Sequence, residues 1–470
     1  MVFSERSFID VLERYVAGAR WWPWKGVTKK VKVVELEAAD PLLYILFEVD
    51  GLRFQLPLRK TTSIPSGLET RGFCTNGSCY VEAEYFPDYL ELFSKLPGSR
   101  VDYRIPLEKV ASARPLSLES TNSVALYETP SGKFVLKSYR LVPGVNLEYM
   151  LLKRLSDAGF KHIPTVAGFL THRSTPAGVL TRYVKGVGDG GKPFYDNLMN
   201  ELSGRSERRK LLAYSSKLGV MIAEMHIALN PIGEKGFYGV EEVEERDVEK
   251  WVKRCERYLE SSLKRLSQVA AAIEGEEREV VEYWARRLDE ASAYIRDQLS
   301  DLFSHQVLLY KGRCHQDLHL AQMVFDEENE EFYITDFEGE PGRSDEERAT
   351  KEPLLRDIAS MIRSIHYLAH AAIVNHYGIS PHRASLKMLE SDPTEEWRKT
   401  ALTAMLYSYL PMATSAGLLS ASKARVLENP WAFLKPWVLE RALYEAFYES
   451  MYRPLWASIP IAGIVELLKQ

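Results

Sequence analysis

Apolar positions change their period along this chain. From Val31 to Leu58 they largely alternate with polar ones, the two-residue repeat of half-buried strands. Val31–Ala38 is one such run, and Tyr44–Val49 and Leu52–Leu58 flank Asp50-Gly51, a type I′ hairpin signal. Phe8–Tyr15 ahead of them reads as a short amphipathic helix, and Tyr85–Leu96 behind them as another. Val124–Tyr127 and Lys133–Lys137 enclose Thr129-Pro130-Ser131-Gly132, a second hairpin. A helix over Asn146–Leu155 and a strand over Val179–Val184 follow, ending at the glycine-rich breaker Lys185–Gly191. Beyond about residue 192 the period becomes helical. Leu211–Leu229 carries an apolar stripe at 211, 214, 218, 221, 222, 225 and 229, and Val248–Ile273 and Val280–Phe303 suit an antiparallel pair. Arg356-Asp357 opens a helix with apolar positions at 358, 361, 362, 365, 368 and 372, and Leu439–Ile464 forms the tail. One β-hairpin interrupts the helices, Met323–Phe325 and Phe332–Thr335, joined by the acidic turn Asp326–Glu331. The pattern predicts an α+β chain of three regions: residues 1–105 and 106–185, both β-rich, and residues 186–470, mostly helical.

The interrupting hairpin carries the candidate chemistry. His315-Gln316-Asp317 follows the apolar run Val307–Tyr310, Gln322 precedes the first strand and Asp336 follows the second. Closing the hairpin sets Gln322 beside Asp336, with Asp317 a short loop away. A pair of oxygen ligands suits Mg²⁺, which keeps waters and substrate phosphates in its remaining positions. A separate carboxylate then orients and deprotonates a hydroxyl. This is the layout of phosphoryl transfer, a catalytic-loop Asp followed by a metal-binding Asp at a strand end. A rival reading takes His315, Asp317 and His319 as the ligands of a zinc hydrolase. Such a site needs a further nitrogen or sulfur ligand at recognisable spacing, and the other histidines form no such cluster.

The text HQDLHLAQ (His315–Gln322) with ITDFEGEP (Ile334–Pro341) resembles the catalytic segment of the aminoglycoside-phosphotransferase-like kinases, and most closely the maltokinases, which carry HGDLHLGQ and IDFEGEP. The resemblance extends in order through Arg20–Gly26, Gln55–Leu58, Glu119–Ser123, Leu218–Leu229, the helix opened by Arg356-Asp357 and the tail. It implies a protein-kinase-like bilobal fold with an N-terminal β-rich cap, a β-rich small lobe and a helical C-terminal lobe. It implies an ATP- and Mg²⁺-dependent sugar kinase in which Asp317 is catalytic and Gln322 and Asp336 hold the metal. Lys137, paired with Glu148, would bind the nucleotide phosphates together with Ser120, Thr121, Asn122 and Ser123, and the hinge Arg182-Tyr183-Val184 would read adenine. His319, Tyr444, Glu445, Tyr448 and Glu449 would contact the sugar. The implied acceptor is the anomeric hydroxyl of maltose, in α-glucan and glycogen metabolism, with association with trehalose and α-glucan enzymes. Departures from the family text cluster in the tail, at Glu440-Arg441, Ser450 and Met451-Tyr452. They bear on the acceptor, for which another sugar or an amino sugar such as glucosamine is the alternative. An inactive kinase-like binding module is the alternative of another class, and the presence of Asp317, Gln322, Asp336 and Lys137 together opposes it.

Composition narrows the field further. The 470 residues are 46% apolar and 27% charged with a formal net charge of −5, so no polybasic footprint for nucleic acid or an anionic membrane is present. The charged, amphipathic start differs from a signal peptide, and no apolar run reaches the roughly 18 residues of a membrane span. A soluble, cytoplasmic enzyme is expected. Cysteines stand at 74, 79, 255 and 314. Reduced thiols are the expectation in that compartment, with a local Cys74–Cys79 bridge as the alternative. Trp21, Trp22 and Trp24 read either as a lid or interface or as the core of a small domain.

Overall fold

Asp50 and Gly51 adopt positive φ (49° and 81°), the conformation a type I′ turn requires, and they join Leu42–Val49 to Leu52–Thr61. This hairpin is the centre of a five-stranded antiparallel sheet. Lys32–Ala39 flanks it on one side, and Ser78–Glu82 and then Gly72–Thr75 on the other. The computed structural model describes residues 6–116, 121–186, 188–420 and 423–469. It divides into a first unit, Met1–Ser156 with Ile163–Lys185, and a second, Asp157–His162 with Gly186–Gln470.

The first unit also holds a six-stranded antiparallel sheet. Its order is Ser99–Tyr103, Val166–His172, Thr175–Arg182, Gly132–Ser138, Ser123–Thr129 and Ser112–Pro115. Trp21 and Trp22 are buried and pack on Phe54 within the apolar cluster under the five-stranded sheet, so these two tryptophans are core. Asn76-Gly77, both at positive φ, close the hairpin that sets Cys74 opposite Cys79 with Cα atoms 3.9 Å apart. The two are disulfide-bonded, which corrects the expectation of free thiols. The turn chemistry between them had already fixed their register. Cys255 and Cys314 are free and buried.

In the second unit the Arg208–Leu229 helix buries Leu211, Leu218, Met221, Ile222, Met225 and Leu229 completely. Each such side chain contributes roughly 1.5–3 kcal/mol relative to exposure. The helices Glu245–Ala272 and Gly275–Ser304 pack on each other, and the first also packs on the tail helix Pro430–Tyr452. The Leu355–Tyr377 helix, ended by Gly378 at φ 62°, packs on the same tail helix. The hairpin of Met323–Asp326 and Glu331–Ile334 pairs Met323 with Ile334. Among the described residues no helix is long and apolar enough to cross a membrane.

Candidate functional site

The Met323–Ile334 pairing continues outward, with Thr335 donating both its backbone N–H (2.9 Å) and its hydroxyl (3.0 Å) to the Gln322 carbonyl. Gln322 and Asp336 are thereby held at one end of the hairpin. Asp336 adopts φ 58°, a left-handed conformation that Asp tolerates better than most residues. Its side chain and that of Glu338 bring carboxylate oxygens within 4.8 Å of each other. Glu338 stands inside the sequence motif, yet the two-ligand reading passed over it.

His315 ties the catalytic loop to this hairpin. Its Nε2 lies 2.9 Å from the Thr335 carbonyl and its Nδ1 accepts from the Asp317 N–H at 3.4 Å. A carbonyl only accepts, so Nε2 carries the proton, and both ring nitrogens are committed. That removes His315 from the rival set of zinc ligands. Asp357, fully buried, accepts the backbone N–H groups of His315 (2.7 Å) and Gln316 (2.8 Å), and its Oδ2 lies 3.1 Å from His226 Nε2. Burial works to raise the Asp357 pKa, but His226 and the loop more than offset it and hold the carboxyl low. His226 is a structural residue, completed by Tyr409 at 2.9 Å.

Gln316, between His315 and Asp317, has φ 71°. A non-glycine residue rarely adopts this conformation, and here it is held by the side-chain amide, which donates to the carbonyls of Arg348 (2.8 Å) and Thr350 (3.1 Å). Gln316→Ala keeps the strain and loses both bonds, so a stability loss of roughly 1–3 kcal/mol is expected in denaturant titration. Ala321 is not among the positive-φ residues, consistent with its ready replacement of a glycine.

Asp317 is 5% exposed. Arg441, on the tail helix, donates to its Oδ1 at 2.7 Å, and His319 Nε2 stands 3.8 Å from its Oδ2. Burial alone would raise the Asp317 pKa. Arg441 and His319 outweigh it and hold the carboxyl well below the usual carboxylate range. Arg441 also reaches Glu340 at 3.1 Å. Behind it lies a buried cluster in which Arg343 bonds Glu340 (2.7 Å), Glu352 (3.0 Å) and Glu440 (3.2 Å). Arg254 pairs with Glu352 and Glu440, and Arg356 pairs with Glu340 and donates to the Gln316 carbonyl at 2.7 Å. Four arginines thus face Asp317 and three glutamates, which leaves the buried cluster formally neutral. Buried charges persist only when paired in this way.

On the tail helix Tyr444 is buried beneath Arg441, with the guanidinium 5.0 Å from the ring centroid, and Tyr448 is 38% exposed. The two carboxylates expected to meet sugar hydroxyls already have cationic partners. Glu445 accepts from Arg363 at 2.7 Å, and Glu449 from Arg453 at 2.6 Å and Tyr367 at 3.1 Å. In the first unit Lys137 pairs with Glu148 at 2.8 Å. Arg182 lies over Phe134 at the end of its strand, Tyr183 donates its N–H to the Lys133 carbonyl, and Val184 is half-buried. Ser120 lies outside the described residues, and Thr121 is exposed. The side chains of Asn122 and Ser123, expected to bind phosphates, are engaged within the first unit. Asn122 Oδ1 accepts the Arg140 N–H, and the buried Ser123 hydroxyl donates to Glu82 and accepts from Arg140. A buried ion pair demands such hydroxyl and amide partners, and this demand draws both side chains inward.

The Phosphotransferase enzyme family model matches residues 112–389, more than half of the chain. A glucosamine kinase of Streptacidiphilus jiangxiensis is 22% identical over 320 residues, which cover 67% of this chain and 64% of that protein. The chain therefore spans just under two thirds of that relative's length. A glucosamine kinase of Mycolicibacterium smegmatis is 23% identical over 364 residues, 76% of this chain and 80% of that one. Among solved structures, a glucosamine kinase in complex with glucosamine, ADP and inorganic phosphate superposes with a TM-score of 0.66 at 17% identity, covering 97% of this chain and 99% of the other. A further crystal form of glucosamine kinase gives 0.65 with 97% and 98%. The fold is thus α+β and protein-kinase-like. The maltokinase resemblance is overturned, because the specific relatives are glucosamine kinases. Motifs of the HxDLHxxQ and DFEGEP kind are expected wherever a phosphoryl group is transferred, whatever the acceptor, so they do not identify the sugar.

Proposed function

The chain belongs to the phosphotransferase enzyme family, and from that premise we propose that it is an ATP- and Mg²⁺-dependent kinase for an amino sugar of the glucosamine class. The observation that carries the reaction is Asp317, buried, kept ionised by Arg441 and set one loop from the hairpin end bearing Gln322 and Asp336. In this reading Asp317 accepts a hydrogen bond from the acceptor hydroxyl, fixes its lone pair toward the phosphoryl group and takes its proton as the new bond forms. Arg441 holds one carboxylate oxygen, which leaves the other for the substrate. Asp336 with Glu338 and Gln322 offers oxygen donors only, a set that fits Mg²⁺ rather than zinc. Bound there, Mg²⁺ supplies charge neutralisation for the nucleotide phosphates. Lys137, oriented by Glu148, is assigned to those phosphates. His319, beside Asp317, and the half-exposed Tyr448 are assigned to the sugar.

The amino-sugar acceptor is supported by the two glucosamine-kinase relatives. An ADP-release assay over glucosamine, N-acetylglucosamine and glucose tests it. Turnover is expected with glucosamine, and acetylation of the amine should lower kcat/KM by roughly tenfold or more, the cost of leaving a buried polar partner unmatched. Equal turnover of all three sugars would overturn the amino-sugar assignment, and no ADP release with any would overturn the sugar-kinase reading.

A further inference from the structure

Three side chains of the first unit, none of them assigned to the reaction, converge. Glu35 and Glu37 lie on the strand Lys32–Ala39, and His172 ends the strand Val166–His172. Each offers a ligand atom, and these atoms all lie within 4.8 Å of one another. We propose that Glu35, Glu37 and His172 form a binding site for a divalent transition-metal cation of the zinc class.

The local structure aims the three groups at one point. A bulge between Val33 and Glu35 resets the register of their strand, and Glu35 and Glu37, two apart, then share a face. Glu37 is paired across the sheet with Tyr44, whose ring lies 4.6 Å from the His172 ring. His172 is paired with Ser99, and its Nδ1 lies 2.8 Å from the Ser99 hydroxyl. Fixing one ring nitrogen and stacking the ring is how proteins orient a metal-binding imidazole.

What the triad lacks points to a ligand. His172 is 3% exposed, and its Nε2, aimed at the carboxylates, is buried without a hydrogen-bond partner. Glu37 Oε2 is likewise buried with none, and Glu35 Oε1 meets no donor but the Arg173 guanidinium described below. Nε2 stands 3.4 Å from Glu35 Oε1. With metal–ligand distances of about 2.0–2.1 Å, the edge of a tetrahedral zinc site is about 3.4 Å, so this pair is already spaced as ligands and only Glu37 has to close in. The mixed imidazole and carboxylate set favours zinc, cobalt or nickel over magnesium or calcium.

Arg173 now occupies part of this space. Its Nη2 lies 2.8 Å from Glu35 Oε1 and also contacts Glu37. One guanidinium balances only one of the two carboxylates. The Arg173 side chain is 58% exposed and springs from a residue at φ 45° in the turn after His172. It withdraws into solvent at little cost, and a divalent ion entering in its place neutralises both carboxylates.

The test is equilibrium dialysis of the whole chain against Zn²⁺ with Mg²⁺ in millimolar excess, followed by metal analysis and by melting with and without EDTA. Magnesium covers the oxygen-only set at Asp336. Thiols do not compete, because Cys74 and Cys79 are joined and Cys255 and Cys314 are buried. The native chain is expected to retain zinc and to melt at a higher temperature with it. His172→Gln and the isosteric Glu37→Gln should weaken zinc by at least roughly 10–100-fold, more than the loss of an outer-shell partner alone. Both should melt like the native chain in EDTA, and Arg173→Ala should bind more tightly. Should His172→Gln misfold, Glu37→Gln decides. No zinc retained by the native chain beyond that of Glu37→Gln, or zinc retained by Arg173→Ala alone, overturns the proposal and leaves the triad an ion pair with Arg173. None of these variants touches the kinase site, so the outcome is independent of the acceptor assay.

Discussion

Asp317→Asn is expected to lower kcat by roughly a hundredfold or more while the KM for ATP stays nearly constant. The amide matches the carboxylate in volume and still presents an oxygen to Arg441, so the loop loses little of its shape. What it loses is the negative charge that draws the acceptor hydroxyl into line and the basicity that receives its proton. The backbone anchors of the loop, Asp357 to His315 and Gln316 and His315 to Thr335, do not involve the Asp317 side chain and remain. Steady-state kinetics with amino sugar and ATP varied separately decide the matter. Turnover near that of the native chain would remove Asp317 from the mechanism, and a parallel rise in the KM for ATP would show that it serves nucleotide binding instead.

The hairpin that unites the candidate residues was more legible in the sequence than what surrounds them. Asp317, Gln322 and Asp336 fall within a span of 20 residues whose alternating pattern predicts the hairpin that unites them, and the structure closes that hairpin in the register expected. The helical stripe of Leu211–Leu229 was equally readable, because local periodicity alone decides which face is buried. The partners of Asp317 were not. Arg254, Glu340, Arg343, Glu352, Arg356, Glu440 and Arg441 come from separate stretches of the chain, and charged residues carry no periodic signal that they will be buried together. Arg441 was visible only as a departure in the tail text. The one hint was that Glu440-Arg441 interrupts the apolar run from Trp437 to Leu443, and a charge at such a position is buried only when paired. The internal partners of Ser123 were hidden for the same reason. A hydroxyl in a polar turn looks available until the buried Arg140 that claims it is located. The maltokinase resemblance failed for another reason, since motifs of phosphoryl chemistry are common to kinases with different acceptors.

Arg441→Met should show how much of the base depends on this support. Arg441 Nη1 serves Asp317 at 2.7 Å and Glu340 at 3.1 Å. Its removal leaves two buried carboxylates without the cation between them, a change that costs about 3–5 kcal/mol when a buried pair is broken. The pH dependence follows with a definite sign. In the native chain the Asp317 pKa is depressed, because Arg441 and then His319 outweigh the opposing effect of burial. A group of this kind contributes stability above its unfolded pKa and loses it only as pH falls through the lower folded value, so the contribution persists into acid. Without Arg441, burial and the neighbouring Glu340 push the carboxyl upward, and Asp317 protonates at a higher pH. The acid limb of the kcat profile should therefore move toward neutrality in Arg441→Met, and acid unfolding should begin earlier. Arg441→Lys separates charge from geometry, since it restores the cation without the fork that spans both carboxylates. It should return the acid limb close to that of the native chain while recovering only part of the stability. A kcat–pH profile of Arg441→Met that superimposes on the native one would show that Arg441 only packs the tail helix against the loop and has no hold on the base.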